Sequence, residues 1–352
     1  MTHPSPILSP AAVDVGQLLA ALPAVGATVA AVFLTIGLGA EFRRRGWLDE
    51  RADASLLSLL VRVFIPALIV TRVIGNPSLG DWRNLAAPPA MAFGLVTLGF
   101  AVAALALMLI GGGERVGLRD PRAKRTFVLC TGMFNYGYIT IPLVESIFDS
   151  RTLGVLFVFN VGVEAAMWGV GVTILAGALA KGWWRRLFSP PVVATILAVA
   201  LNLLIVNFDL GERTPAAILP IINALWRSLG WLGQAAIPIG LLLTGATIYE
   251  NWSHCRLRQG TATVGLATLV RVAALPVVFL ALAVFLPAAL VTRELRAVLV
   301  LQAAMPAAVF PIVLSRHYGG DVGVALRIVV GTSLISLLTM PLWIVLGLWL
   351  IG

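Results

Sequence analysis

The stretch Thr131-Gly132-Met133-Phe134-Asn135-Tyr136-Gly137-Tyr138-Ile139-Thr140-Ile141-Pro142-Leu143-Val144 decides the fold of this chain. It lies inside an apolar segment, yet it contains an Asn, two Thr, two Tyr, two Gly and a Pro. A second interrupted segment follows about 170 residues later, as Gln302-Ala303-Ala304-Met305-Pro306-Ala307-Ala308-Val309-Phe310-Pro311-Ile312-Val313-Leu314. Apolar segments interrupted by Gly and Pro at matching positions of two halves indicate a binding site between them. We therefore predict that the two segments form one site.

The composition is that of a protein embedded in lipid. Of the 352 residues, 59% are apolar and 12% are charged, and the mean hydropathy is +0.97. Soluble domains are roughly 45–50% apolar and about 25% charged. An integral protein of the cell's inner membrane is therefore expected, surrounded by the lipid bilayer. The net charge of +9 does not indicate a nucleic-acid partner, because the basic residues cluster in short loops between apolar segments, as the positive-inside rule requires.

Ten apolar segments are long enough to cross a bilayer, which takes about 20 residues. They are predicted at residues 16–40, 54–75, 86–111, 125–148, 152–179, 190–208, 217–246, 262–287, 295–316 and 322–351. Alternate loops hold fifteen Lys and Arg against five, which predicts that both termini lie outside the cytoplasm. Residues 1–12 carry no Lys or Arg, so the first segment is expected to remain as a membrane helix rather than serve as a signal peptide.

Two proline landmarks indicate an internal repeat. Pro66 and Pro238 are 172 residues apart, and Pro142 and Pro311 are 169 residues apart. With five spans in each half, the nearly equal offsets predict two inverted five-helix repeats, residues 1–179 and 180–352. Chance is the competing interpretation, because Pro is common in membrane helices. The predicted fold class is an all-α membrane protein of ten transmembrane helices.

The prolines and glycines of the interrupted segments predict broken helices. Pro142 lacks an amide donor and clashes with the carbonyl four residues earlier, and Gly137 adds backbone freedom nearby. Backbone groups freed in this way have to face protein or a watery cavity rather than lipid. The N-terminus of a half-helix then offers unpaired N–H groups and a positive dipole end, which favour an anion. A central carboxylate site follows, although a packing kink would explain either proline alone.

Seven residues of the interrupted segments carry a family resemblance: Asn135, Pro142, Leu143, Met305, Pro306, Pro311 and Tyr318. They resemble the motifs of the auxin efflux carrier family, which includes plant auxin exporters and bacterial carriers of malonate and other organic acids. The resemblance extends over nearly the whole chain. It implies a fold similar to bile-acid symporters and sodium/proton antiporters, in which spans 1, 2, 6 and 7 form a scaffold and spans 3–5 and 8–10 move as an elevator. A homodimer would form through the scaffold.

The resemblance also implies where the substrate lies, namely at the crossing of the broken helices 4 and 9. The predicted substrate-binding residues are Asn135, Tyr136, Gly137, Pro142, Gln302, Met305, Pro306 and Pro311. Asn135 matches the family's substrate-side Asn, and Pro142 and Pro311 match its crossover prolines. The link between the two halves, residues 181–189, is far shorter than the cytoplasmic loop of the plant exporters, which counts against auxin as the substrate.

Glu164 is the carboxylate nearest the middle of a predicted span, and Asn160 precedes it by one turn on the same face. Ionisable residues inside a membrane are functional candidates, so this pair is predicted to carry a coupling proton or sodium ion. No other cofactor is expected. The alternative is a structural ion pair between Glu164 and either Arg62 or Arg271, the arginines placed inside spans. Arg62 and Arg271 could instead attract an anionic substrate, but snorkelling to the surface or pairing is the favoured interpretation. Glu145 is expected to be solvated.

These features predict a secondary active transporter of small organic anions. The chain contains no G-x-x-x-x-G-K-[ST] loop, so it is not itself an ATP-driven pump. An anion channel is the alternative, because paired helix breaks also occur in pores. A membrane-embedded enzyme is not expected. The sequence contains no H-E-x-x-H or G-x-S-x-G motif, and its three histidines, His3, His254 and His317, fall at or outside span ends.

Overall fold

The computed structural model describes residues 15–177, 183–208, 215, 217–252 and 260–352. Several residues on which the expectations above rest lie outside the described residues: residues 1–12, Lys181 at the start of the link between the halves, His254, and three of the arginines in the loop count, which are Arg213, Arg256 and Arg258. Within the described part of the chain, all regular elements are helical. A single isolated bridge between two extended residues is the exception.

The helices follow the chain in this order: α1 (Val15–Arg44), α2 (Glu50–Leu59), α3 (Ile65–Val73), α4 (Arg83–Leu109), α5 (Pro121–Gly132), α6 (Thr140–Ile147), α7 (Ser150–Ala166), α8 (Val172–Ala176), α9 (Trp183–Arg186), α10 (Pro190–Asn207), α11 (Leu219–Glu250), α12 (Thr261–Thr268), α13 (Leu275–Phe285), α14 (Arg293–Ala304), α15 (Phe310–His317) and α16 (Val322–Ile351). Three π-helical turns, at Leu60–Phe64, Met167–Gly171 and Leu269–Ala274, join α2 to α3, α7 to α8 and α12 to α13. Each joined pair runs as one continuous helix.

Eight helices of 18 to 32 residues, among those the structure describes, are long and apolar enough to cross a membrane. They correspond to eight of the ten predicted spans. The other two predicted spans are broken, because α5 and α6 flank residues 133–139, and α14 and α15 flank residues 305–309. The prediction of an all-helical membrane protein is therefore confirmed. The arrangement as two inverted five-helix repeats stays a prediction.

The outer surface of the helices carries many large apolar side chains. Leu34, Leu109, Phe285 and Leu338 all expose most of their side chains. Apolar surface on this scale is uncommon on a protein that faces water, whereas lipid tails are as apolar as a Leu side chain. The exposed leucines and phenylalanines are therefore the lipid-facing surface of the protein.

Glycine permits close helix contacts at a few positions. A Cβ atom at Gly245 of α11 would overlap the carbonyl of Ile36 on α1. In the same way, a Cβ atom at Gly162 of α7 would overlap the carbonyl of Pro89 on α4. Small residues let membrane helices approach at backbone distance. These contacts fix α1 against α11, both in the predicted scaffold, and α4 against α7, both in the predicted transport domain.

Two ion pairs join helices of the two predicted units: Arg316 of α15 pairs with Glu250 of α11 at 3.4 Å, and Arg72 pairs with Glu145. Arg72 of α3 donates from Nη2 to Oε1 of Glu145 on α6 at 2.6 Å, and each side chain is 27% exposed. Glu145 is therefore partly exposed, and it is in addition paired with Arg72, which the sequence did not predict.

Candidate functional site

The two broken segments meet at their interruptions. The N–H of Asn135 donates to the carbonyl of Pro306 at 2.9 Å, and the N–H of Ala308 donates to the carbonyl of Met133 at 3.0 Å. The two extended stretches therefore pair in antiparallel fashion. We call residues 133–139 and 305–309 the crossing. Each stretch supplies hydrogen-bond partners for backbone groups of the other stretch that have no partner within their own broken helix. Inside a membrane such groups have to be satisfied by protein or by water in a cavity.

The prolines of the two segments determine where the second half-helices begin. Pro142 lies in the first turn of α6, and Pro311 lies in the first turn of α15. The first N–H groups of a helix have no partner within it, so proline is tolerated there, but a helix cannot extend backwards through it. The breaks therefore lie just before these prolines rather than at them. Pro306 lies within the crossing itself.

A cavity of about 220 Å³ opens on one side of the crossing. The wall comes from the crossing and from α3, α7, α10 and the starts of α6 and α15. The polar residues on this wall are Asn135, Tyr136, Tyr138, Asn160, Glu164, Ser189 and Thr195. A mostly apolar cavity with a few convergent polar groups is the usual form of a small-molecule site.

The predicted site residues divide into two groups. Five of them line the cavity: Asn135, Tyr136, Gly137, Asn160 and Glu164. The other five are not part of its wall: Pro142, Gln302, Met305, Pro306 and Pro311. The second broken helix contributes different residues to the wall: Ala308, Val309 and Phe310. The part that each predicted residue plays in substrate binding stays a prediction.

Asn135 is held by its main chain and presents its side chain to the cavity. In addition to its N–H bond to Pro306, its carbonyl accepts from the hydroxyl of Thr140 at 2.6 Å. Its side-chain Oδ1 accepts a long hydrogen bond, 3.5 Å, from the N–H of Ile139. This is the one hydrogen bond of the Asn135 side chain within the described residues. Its remaining donors and acceptors can serve a bound molecule.

The two coupling candidates lie beside the crossing. Asn160 donates from Nδ2 to the carbonyl of Tyr136 at 3.1 Å, and Glu164 accepts from the hydroxyl of Ser189 at 2.9 Å. In the part of the chain that the structure describes, Glu164 forms no ion pair with Arg62 or Arg271, so the alternative of a structural ion pair is not supported. Glu164 instead links α7 to the start of α10 across the wall of the cavity.

Arg271 does not snorkel as expected. Its side chain is wholly buried, and its guanidinium carbon lies 5.4 Å from the ring centroids of both Phe134 and Phe279. The expectation is wrong because Arg271 points into the protein core, where its guanidinium makes cation–π contacts with two phenyl rings. Arg62, by contrast, is exposed.

Sequence reasoning missed several residues on the cavity wall. Ser189 is the N-cap of α10, and its position before Pro190 is a recognisable signal for the start of a helix. That signal does not show which cavity the hydroxyl faces. Trp168 was also missed. It packs edge-on against Phe310 at 6.0 Å between ring centroids, and the guanidinium of Arg186 lies 5.3 Å from its ring.

Two comparisons with known proteins bear on the function of the chain. The family described as membrane transport protein matches residues 24–182 and 174–344. A relative from Methanothermobacter thermautotrophicus, described as an uncharacterized transporter, is 26% identical over 320 residues, which cover 90% of this chain and 96% of the relative. Both comparisons point to transport rather than to catalysis. The chain is therefore an integral membrane protein that belongs to the membrane transport protein family, whose members are auxin efflux carrier-like.

Proposed function

We propose that this protein is a secondary active transporter of small organic anions in the cell's inner membrane, with both termini outside the cytoplasm. The observation that carries the proposal is the cavity beside the crossing, where Asn135 and Glu164 share one wall. A cavity with a few convergent polar groups next to two broken helices is the arrangement in which transporters hold substrates near the middle of the bilayer.

The helix ends at the cavity support a negatively charged substrate. Helices α6 and α15 have eight residues each and begin at the crossing, so their positive dipole ends lie beside the same space. N–H groups at the start of a helix suit carboxylate oxygens. The side-chain amide of Asn135 adds a further donor on the wall.

Glu164 and Asn160 support coupling to a cation. A bound carboxylate and an ionised Glu164 on one cavity wall repel each other, so an anion binds more tightly when Glu164 carries a proton or faces a sodium ion. The hydroxyl of Ser189, 2.9 Å from Glu164, belongs to α10, a helix of the predicted scaffold. The coupling residue thus contacts both predicted units.

The distribution of close contacts supports an elevator movement. Gly245 and Gly162 mark places where two helix backbones lie so close that a Cβ atom would overlap the neighbouring carbonyl. In each case both helices belong to the same predicted unit. Between the units, Gly240 of α11 faces the ring of Tyr138. Side-chain contacts of this kind can be exchanged as helices slide, whereas backbone contacts require the helices to separate. The homodimer through spans 1, 2, 6 and 7 belongs to the same proposal.

Counterflow in liposomes tests the transport proposal. The purified protein is reconstituted and supplied with labelled mono- and dicarboxylates, and with neutral solutes of similar size. We expect saturable uptake of at least one carboxylate that an unlabelled carboxylate inside the vesicles accelerates. Uptake without this acceleration would favour the channel alternative. Exchange of neutral solutes alone would contradict an anionic substrate.

A cross-link tests the elevator proposal. Cysteines replace Arg72 and Glu145, which pair across the two predicted units, in a chain whose Cys130 and Cys255 are changed to Ala. A short bismaleimide is expected to stop exchange in this pair. The matched control pair replaces Arg83 and Ala288, which contact each other within the predicted transport domain. Full exchange by the cross-linked Arg72/Glu145 pair would exclude movement between these helices.

A further inference from the structure

Arg62 is a charged side chain near the middle of a membrane-spanning helix. It lies in the π-helical turn Leu60–Phe64, which joins α2 to α3 in the continuous span Arg51–Val73. At 1.5 Å per residue, it is about 17 Å along the helix from Arg51 and about 15 Å from Arg72, so its side chain cannot reach either end. The side chain is exposed, and among the described residues it forms no ion pair.

The cavity beside the crossing is next to Arg62. Val61, which precedes it, lines the cavity, and so does Ile65 three residues later. Residues three apart are neighbours on the surface of a helix. Arg62 itself is not part of the cavity wall, so its guanidinium lies outside the enclosed space. Charged side chains within membrane spans almost always face the protein interior or a water-filled cavity rather than lipid.

A polar stripe leads along α2 to this position. Arg51, Ser55 and Ser58 precede Arg62 by eleven, seven and four residues, which is the spacing of one helix face. All four side chains are exposed. Asp53 lies on another face, where it pairs with an arginine of α1. The polar stripe therefore carries positive charge and hydroxyl groups from the start of α2 to the edge of the cavity.

The exposed face of α15 leads from the cavity to the same end of the protein. Phe310 lines the cavity, and Val313, one turn later, is also exposed. Arg316, near the end of α15, lies 3.4 Å from Glu250, which lies 3.9 Å from Arg43. Arg43 in turn pairs with an aspartate in the first turn of α2. Both exposed faces thus run from the cavity to the predicted cytoplasmic end, which indicates an aqueous approach on this side.

The charge of this approach favours anions, and the inference rests on the proposed transport of small organic anions. A fixed charge beside a narrow, mostly apolar opening raises the local concentration of ions of opposite sign. We propose that Arg62 is a specificity-determining residue at the mouth of the cavity. It draws small organic anions out of the aqueous approach and repels cations, and it acts before the anion reaches the cavity wall.

Thiol labelling tests whether Arg62 faces water. Arg62→Cys and Leu338→Cys are made in the chain whose Cys130 and Cys255 are changed to Ala, and ionised methanethiosulfonates are added on both sides of the liposome membrane. These reagents attack a hydrated thiolate, so Arg62→Cys should react. Leu338, exposed near the middle of α16, faces lipid, so its cysteine should not react. No reaction at Arg62→Cys, or equal rates at both cysteines, would overturn the proposal.

Exchange kinetics test the role of the charge. At about 0.01 M ionic strength, Arg62→Gln should raise the KM of a monocarboxylate about threefold and that of a dicarboxylate about tenfold, with an unchanged maximal rate. One unit charge at about 7 Å in water has an effect of roughly this size, and two charges square the factor. Arg62→Lys should restore both KM values. An unchanged KM for the dicarboxylate in Arg62→Gln would refute the role of Arg62.

Two reagents then change the charge at one position. On Arg62→Cys, a methanethiosulfonate that adds a trimethylammonium group should lower the KM toward the wild-type value. One that adds a sulfonate group should raise the KM further. Equal effects of the two groups would mean that the size of the side chain matters rather than its charge, which contradicts the proposal.

Arg227→Gln is the matched control. Arg227 is an exposed arginine of α11 that is not part of the cavity wall, so its loss changes the net charge equally but should leave the KM unchanged. An equal rise of the KM in Arg227→Gln would show a general effect of net charge and overturn the proposal. If the wild-type protein exchanges no anion, the transport proposal itself fails. Normal exchange with an unchanged KM in Arg62→Gln refutes only the role of Arg62.

Discussion

Replacing Asn135 with Ala separates substrate binding from folding. The main chain of Asn135 makes the contacts that build the crossing, the 2.9 Å bond to Pro306 and the 2.6 Å bond from Thr140, and Ala retains both. The substitution removes one side-chain hydrogen bond, the 3.5 Å contact with Ile139. A bond of this length contributes less than about 1 kcal/mol to the free energy of unfolding.

The expected effect on binding is larger. A hydrogen bond from the Asn135 amide to a charged carboxylate contributes about 1.5–3 kcal/mol, because one partner is ionised. Its loss would raise the Kd of the transported anion by roughly 10- to 150-fold. The free energy of unfolding and the free energy of binding should thus change by clearly different amounts in the same variant.

The assay measures the Kd of the anion that counterflow identifies, together with thermal unfolding, in wild type and variant. Asn251→Ala is the matched control. Asn251 is buried to a similar degree, 3% exposed against 4%, and among the described residues its side chain makes one hydrogen bond, to the carbonyl of Thr247, but it is not part of the cavity wall. An unchanged Kd in Asn135→Ala would remove Asn135 from the substrate site.

Three further predictions concern coupling, packing and the ion pair between Arg72 and Glu145. Glu164→Gln should leave exchange measurable but independent of pH, and transport that keeps its full pH dependence would exclude Glu164 as the proton carrier. Gly245→Ala should lower the free energy of unfolding by about 1–3 kcal/mol, because the added Cβ overlaps the carbonyl of Ile36. Gly37→Ala, whose Cβ meets open space, is the control and should leave the free energy of unfolding unchanged. Equal unfolding temperatures in the two variants would refute the close contact. A double-mutant cycle with Arg72→Gln and Glu145→Gln should give a coupling below about 1 kcal/mol, because the pair is partly exposed, and a larger value would show that the pair is effectively buried.

The spans and the meeting of the two broken helices follow from local sequence. Long apolar segments are recognisable wherever they occur, and proline restricts where a half-helix can begin. The exact position of each break is harder to predict, because it depends on hydrogen bonds between residues far apart in the chain. Asn135 and Pro306 satisfy each other only after both breaks have formed.

The division of site residues between cavity and core could not be predicted. Arg62 and Arg271 have the same immediate neighbours, and both lie in π-helical turns, yet one is exposed and the other is wholly buried. The apolar residues around each arginine do not determine which face of the helix packs against neighbouring helices, so they cannot predict which arginine is buried. Gln302 likewise reads as a candidate wall residue, but α14 places it beside Arg271 instead.

The hydrogen bonds of the crossing also constrain how the chain is made. The N–H of Asn135 and the carbonyl of Met133 find their partners on Pro306 and Ala308, about 170 residues later. At 5–20 residues per second, a ribosome needs on the order of 10–30 s to synthesise that length. During this interval the first broken helix is in the membrane with unpaired backbone groups. Water or the insertion machinery has to satisfy them until the second broken helix arrives.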